Sequence, residues 1–66
     1  MDKENIKVGD IARCIDVSDI EKHITIGRYY KCLAVDDSVF IKIVNDNGIK
    51  RFYLMNRFKH DVDIFI

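Results

Sequence analysis

Proline and tryptophan are missing from this chain, glycine occurs three times, cysteine twice, and net charge is absent. Without proline, the backbone punctuation falls on Gly9, Gly27 and Gly48 alone. The two cysteines, Cys14 and Cys32, lie inside apolar patterns, and in a chain with no secretory signal they are expected as small buried hydrophobes. With His23 and His60 they make a two-Cys, two-His set, but the cysteines are 18 apart and the histidines 37 apart, without the close pairs of a zinc module. Eleven basic residues balance eleven acidic ones, six against six in residues 1–33 and five against five in residues 34–66, which disfavours generic polyanion binding. No apolar run approaches a membrane span, and MDKENIKVGD lacks the apolar stretch of a secretory signal, so no membrane partner and a cytoplasmic location are expected.

What is present suits one small globular domain. The 66 residues are 48% hydrophobic and 33% charged, outside the low-hydrophobicity, high-charge composition of disorder. A core this small needs nearly every apolar side chain, because each ordered residue costs about 1.5 kcal/mol of conformational entropy.

The clearest local signal is VFIKIVNDNGIKRFYL, where Asn47-Gly48 separates two β-rich runs as a two-residue type I′ turn does. That turn pairs Ile41 with Leu54, Ile43 with Phe52, Lys42 with Tyr53 and Val44 with Arg51. Ile41, Ile43, Phe52 and Leu54 then form the core face, while Phe40, Lys42, Val44, Arg51 and Tyr53 take the other. Upstream, RYYKCLAV reads as a strand joined to this hairpin by Asp36-Asp37-Ser38. A two-residue loop at Asp37-Ser38, the preferred solution, puts Tyr30, Cys32 and Ala34 inward; a three-residue loop puts Leu33 and Val35 there, and a bulge satisfies both. DIARCID is expected as the first strand with Ala12 and Cys14 inward. Residues 17–26 read as a long loop, the alternative being a short helix capped by Ser18 with Glu21 at its third position. After Leu54, MNRF (Met55 to Phe58) suggests one helical turn, and the alternation of His60, Val62, Ile64 and Ile66 a last half-buried strand. Five short strands with open edges are satisfied most economically by closing the last on the first, giving an all-β small five-stranded barrel.

Strand, long loop, three-stranded meander, helical turn and last strand is the order of an SH3-like barrel. At residue level KVGDIARCID, ITIGRYYKCLAV, FIKIVNDNGIKRFYL and MNRF resemble small SH3-like proteins encoded by bacteriophages and prophages, over about residues 7–59. The markers are the Val-Gly-Asp entry at residues 8–10, Thr-x-Gly-x-x-Tyr at residues 25–30, the Asn-Asp-Asn-Gly turn, and Tyr53, Arg57 and Phe58. The resemblance implies a single SH3-like domain with an accessory or host-interaction role in the host cytoplasm. Two other relatives fit less well. The acidic-aromatic motif and groove tryptophan of peptide-binding SH3 domains are missing, and the glycine that follows the first strand in KOW modules is replaced by the acidic stretch from Asp16 to Glu21.

Chemistry of a catalytic kind has thin material. A thiol of Cys14 or Cys32 with an imidazole of His23 or His60 requires cysteines that point outward, and Asp36-Asp37 suits a turn better than an acid pair. No enzyme, cofactor or metal is expected. The expected binding surface is Phe40, Lys42, Val44, Arg51, Tyr53 and Arg57, aromatic and basic together, unless the last strand or the loop at residues 17–26 covers it. A protein partner is expected, and a nucleic acid, which Tyr53, Phe40 and neighbouring basic groups would also suit, less so. Residues 1–8 form an N-terminal arm whose Ile6 and Val8 are expected to cover Phe65 within a monomer, the alternative being a homodimer.

Overall fold

The computed structural model describes residues 6–60 of the chain. They form β1 (Ile11–Cys14), β2 (Tyr29–Lys31), β3 (Ala34–Asp36), β4 (Phe40–Val44), β5 (Lys50–Leu54), a 3-10 turn (Met55–Arg57) and β6 (Phe58–His60). Two three-stranded antiparallel sheets result, ordered β2-β1-β6 and β3-β4-β5. The fold is all-β, and among the described residues no helix is long and apolar enough to cross a membrane.

A strand after the 3-10 turn pairs with the first, with Ala12 opposite His60 and Cys14 opposite Phe58. It begins at Phe58, which was expected in the helical turn, and of the expected last strand only His60 is among the described residues, while neither sheet closes on itself. The five strands expected become six because the run beginning at Tyr29 breaks at Cys32-Leu33. Cys32 N–H donates to Asp10 O at 2.9 Å in the first sheet, whereas Leu33 N–H donates to Lys42 O at 2.7 Å in the second. One stretch of chain therefore serves both sheets. The break also shifts the alternation: Tyr30 and Cys32 are buried, and after the irregular step Val35 packs on the core. The expected two-residue loop at Asp37-Ser38 is accordingly replaced by a three-residue connection. Asp36 pairs with Phe40 and Val35 with Ile41, with Asp37 and Ser38 both at φ 57.

The core lies between the sheets. Ala12 and Cys14, small and wholly buried on the central strand of the first sheet, leave room for the rings of Tyr30 and Phe58. Those rings meet edge to face with centroids 6.1 Å apart, a favoured aromatic geometry. Ile41 and Ile43 enter from the second sheet, and Ile6 from the N-terminal side.

Residues 17–26 form turns rather than the helix held as an alternative. Ile20, His23 and Ile24 close successive turns on Val17 and Ile20, and Asp19 sits at φ 67. Ile24, fully buried, anchors this loop to the core, with Val17 and Ile20 packed beside it. The expected strand residues Val62, Ile64 and Ile66, and Phe65, lie outside the described residues; of the two residues expected to cover Phe65, Ile6 is buried in the core and Val8 is exposed.

Candidate interaction surface

The β4-β5 hairpin differs from expectation by one residue, and that slip decides which side chains meet solvent. Phe40 pairs with Leu54, Ile41 with Tyr53, Lys42 with Phe52, Ile43 with Arg51 and Val44 with Lys50. The connection is a three-residue loop, Asp46-Asn47-Gly48, in which Gly48 N–H donates to Asn45 O at 3.0 Å and Asn45 N–H to Ile49 O at 2.9 Å. Gly48 takes φ 79, the left-handed conformation that this loop demands at its third residue.

Asn45 is the cause of the slip. Its Oδ1 accepts from the Asn47 amide at 2.9 Å and the Ile49 amide at 3.0 Å, and its Nδ2 donates to the Tyr53 hydroxyl at 3.1 Å. A side chain only 5% exposed is thereby satisfied on both its acceptor and its donor. The same bond lets Tyr53 lie inward with its polar tip paired. The ring of His23 approaches it edge-on, with centroids 6.4 Å apart.

A second set of bonds fixes the loop at residues 17–28 against the hairpin tip. Asp46 carboxylate oxygens accept from Thr25 Oγ1 at 2.6 Å, Tyr30 OH at 2.7 Å and Arg28 at 3.0 Å, while Asp46 N–H donates to His23 O. The Thr25 hydroxyl first, then Tyr30 and the Arg28 guanidinium, hold the Asp46 carboxyl below its ordinary value. Burial, followed by the bond to Asp46, raises the Tyr30 phenol and keeps it a donor.

The residues expected at the surface separate accordingly. Phe40 (38% exposed) and Val44 (42%) face outward, with Lys42 between them. Tyr53, 8% exposed, is in the core, a correction that follows directly from the one-residue slip. Arg51 falls on the inner side by register, opposite Ile43, and is exposed at the sheet margin. Arg57, on the 3-10 turn, donates to Ser18 O at 3.1 Å and stands 3.8 Å from Asp16, so it tethers the long loop. Phe52 (46%) and Leu54 (38%), expected in the core, take the outer places instead, together with Lys50.

The outer face of the second sheet therefore carries Phe40 opposite Leu54 and Phe52 opposite Lys42, with Lys42 Nζ 5.5 Å from the centre of the Phe52 ring. Four large apolar side chains share it. Of the two candidate covers, the long loop bonds to the hairpin tip and the Tyr53 side instead, and the last strand beyond His60 lies outside the described residues.

Elsewhere the groups suited to chemistry are dispersed. Cys14 and Cys32 are free and buried, and burial raises both thiols above the ordinary range. Among the described residues no three of His, Cys, Asp and Glu converge to hold a metal ion. A cleft of about 420 Å³ is lined by Ile6, Lys7, Val8, Val35, Ser38 and Met55, none of them a carboxylate or imidazole.

The chain matches no protein-family model, and comparison with curated proteins and with solved structures finds no match either.

Proposed function

We propose that this chain is a small accessory protein of the SH3-like kind encoded by bacteriophages and prophages, binding and modulating a host or phage protein in the host cytoplasm through the outer face of the β3-β4-β5 sheet. The observation that carries the binding role is Phe40, Val44, Phe52 and Leu54 exposed together on one face of a hairpin whose other face places Ile41, Ile43 and Tyr53 in the core. Eleven large apolar side chains are exposed among the described residues, and these four are drawn together on one sheet face beside Lys42, an aromatic and basic grouping that supports a contact site there. The SH3-like assignment is supported by the order of elements: strand, long loop, a run shared by both sheets, hairpin, one 3-10 turn and a last strand back on the first.

The test is affinity capture from a bacterial lysate with the tagged parent and with Phe40→Ser/Leu54→Ser, both melted beforehand. The proposal expects a partner held by the parent and lost by a variant that still folds. Capture indifferent to the two substitutions contradicts it. Binding of single-stranded RNA or DNA that weakens as salt rises would instead identify a nucleic-acid-binding domain, with bases stacking on Phe40 and Phe52.

A further inference from the structure

Among the described residues, the exposed face ends at a strand edge with no neighbour. In an antiparallel pair, alternate residues direct their N–H and C=O groups to the partner strand. Asn45 pairs with Ile49 through the main chain, and Met55 N–H donates to Val39 O at 2.7 Å, so the odd residues of β5, Arg51 and Tyr53, bond toward β4. Lys50, Phe52 and Leu54 consequently present their amide and carbonyl groups to the other side. β5 is the last strand of its sheet, and among the described residues no backbone bond from another element reaches these three.

The edge has a charge of one sign. β4 and β5 together hold Lys42, Lys50 and Arg51 and no carboxylate. Edge strands are ordinarily protected by charge, and here Lys50 and Arg51 discourage pairing with a like strand while leaving Phe52 and Leu54 at the margin. Size narrows the occupant further. At about 3.3 Å per residue and about 4.8 Å between strands, the face covers roughly 200 Å², against the ~800 Å² per partner of a standard stable interface. A second copy docking sheet to sheet would bury too little, whereas one short extended segment fits the length of β5.

Resting on the interaction reading above, we infer that β5 takes an extended acidic-apolar segment of the partner protein as a fourth strand. Main-chain bonds form to Lys50, Phe52 and Leu54, and alternate apolar side chains lie beside Phe52 and Leu54 on the outer face. The intervening carboxylates lie on the inner side beside Arg51, with Lys50 adding positive charge at the end of the strand. Backbone pairing supplies the general affinity, and the basic margin selects the acidic sequence.

The experiment uses the full chain, isotope-labelled, with a blocked six-residue peptide alternating Glu with Ile or Val. Without peptide, the amides of Lys50, Phe52 and Leu54 should exchange at least tenfold faster than those of Arg51 and Tyr53. Saturating peptide should slow the three at least tenfold. Methylating the peptide's alternate amide nitrogens should abolish binding, and Lys50→Glu/Arg51→Glu should weaken it at least tenfold. No binding, binding that leaves the three amides unprotected, or displacement of the peptide by a single-stranded oligonucleotide overturns the inference. If it is overturned while Phe40→Ser/Leu54→Ser still abolishes capture, the face remains an interaction surface without strand addition; if capture is indifferent as well, the underlying reading falls too.

Discussion

Asn45 and Tyr53 are joined side chain to side chain at 3.1 Å across the inner face of one hairpin, and through that bond the loop geometry and the burial of the ring determine each other. Asn45 cannot be buried without partners for its amide, and Tyr53 cannot be buried without a partner for its hydroxyl. Once both are inward, Phe52 and Leu54 must be outward.

Removing the amide should therefore cost more than its size suggests. Asn45→Ala is expected to destabilise the fold by about 1–3 kcal/mol, since it leaves the Tyr53 hydroxyl and two loop amides without their partner. Gly48→Val should cost a similar ~1–3 kcal/mol from conformation alone, because an added Cβ meets nothing within 4 Å. Gly48→Asn, a residue that tolerates positive φ, should cost less. Urea denaturation of the three variants checks the order; Gly48→Val unfolding like the parent would show that the left-handed residue is not required.

Acid should loosen the clamp on the hairpin tip. The Asp46 carboxyl is held below its ordinary value, so its contribution is fully present above about pH 4 and is lost as pH falls through the depressed folded value. Asp16, lowered by the Ser18 amide and hydroxyl, works in the same direction. Asp46→Asn should be less stable than the parent at pH 7, and the gap should narrow as pH falls below about 4. A gap in urea midpoint that stays constant from pH 7 to pH 3 would mean the carboxylate charge contributes nothing.

Both thiols should be slow to react. Cys14 and Cys32 are buried and their thiols raised by burial, which leaves little thiolate at neutral pH. An aromatic disulfide reagent should modify both slowly in the native protein and rapidly in denaturant. Rapid native modification of either one would assign it a surface role that the packing does not support.

The hairpin itself was legible in Asn47-Gly48, as were the inward Ala12 and Cys14, the long loop and the single helical turn. The register was not, for a specific reason. A two-residue and a three-residue loop both use a glycine at positive φ, so the turn signal does not choose between them. Counting apolar residues then favours the two-residue solution, because it sets Ile41 and Ile43 beside Phe52 and Leu54. The count misses that Asn45 bonds the Asn47 and Ile49 amides and offers its own amide to Tyr53. The usable signal was an asparagine two residues before Asn47, placed to form an Asx turn. The sheet change at Cys32-Leu33 left no mark in a run without glycine or proline. Of its two conflicting inward patterns, Tyr30 and Cys32 hold before the break and Val35 after it, while Leu33 is exposed and Ala34 pairs with Lys42 outside the buried core.

Phe52 and Tyr53 are neighbours on opposite faces, and comparing their serine variants tests the central claim most directly. Phe52→Ser should leave the melting temperature within a few degrees of the parent and abolish partner capture. Tyr53→Ser, which empties a core position and strands the Asn45 amide, should lose about 3 kcal/mol or more of stability. A Phe52→Ser protein that melts as low as Tyr53→Ser, or that captures its partner as well as the parent does, would contradict the assignment of this face as the binding surface.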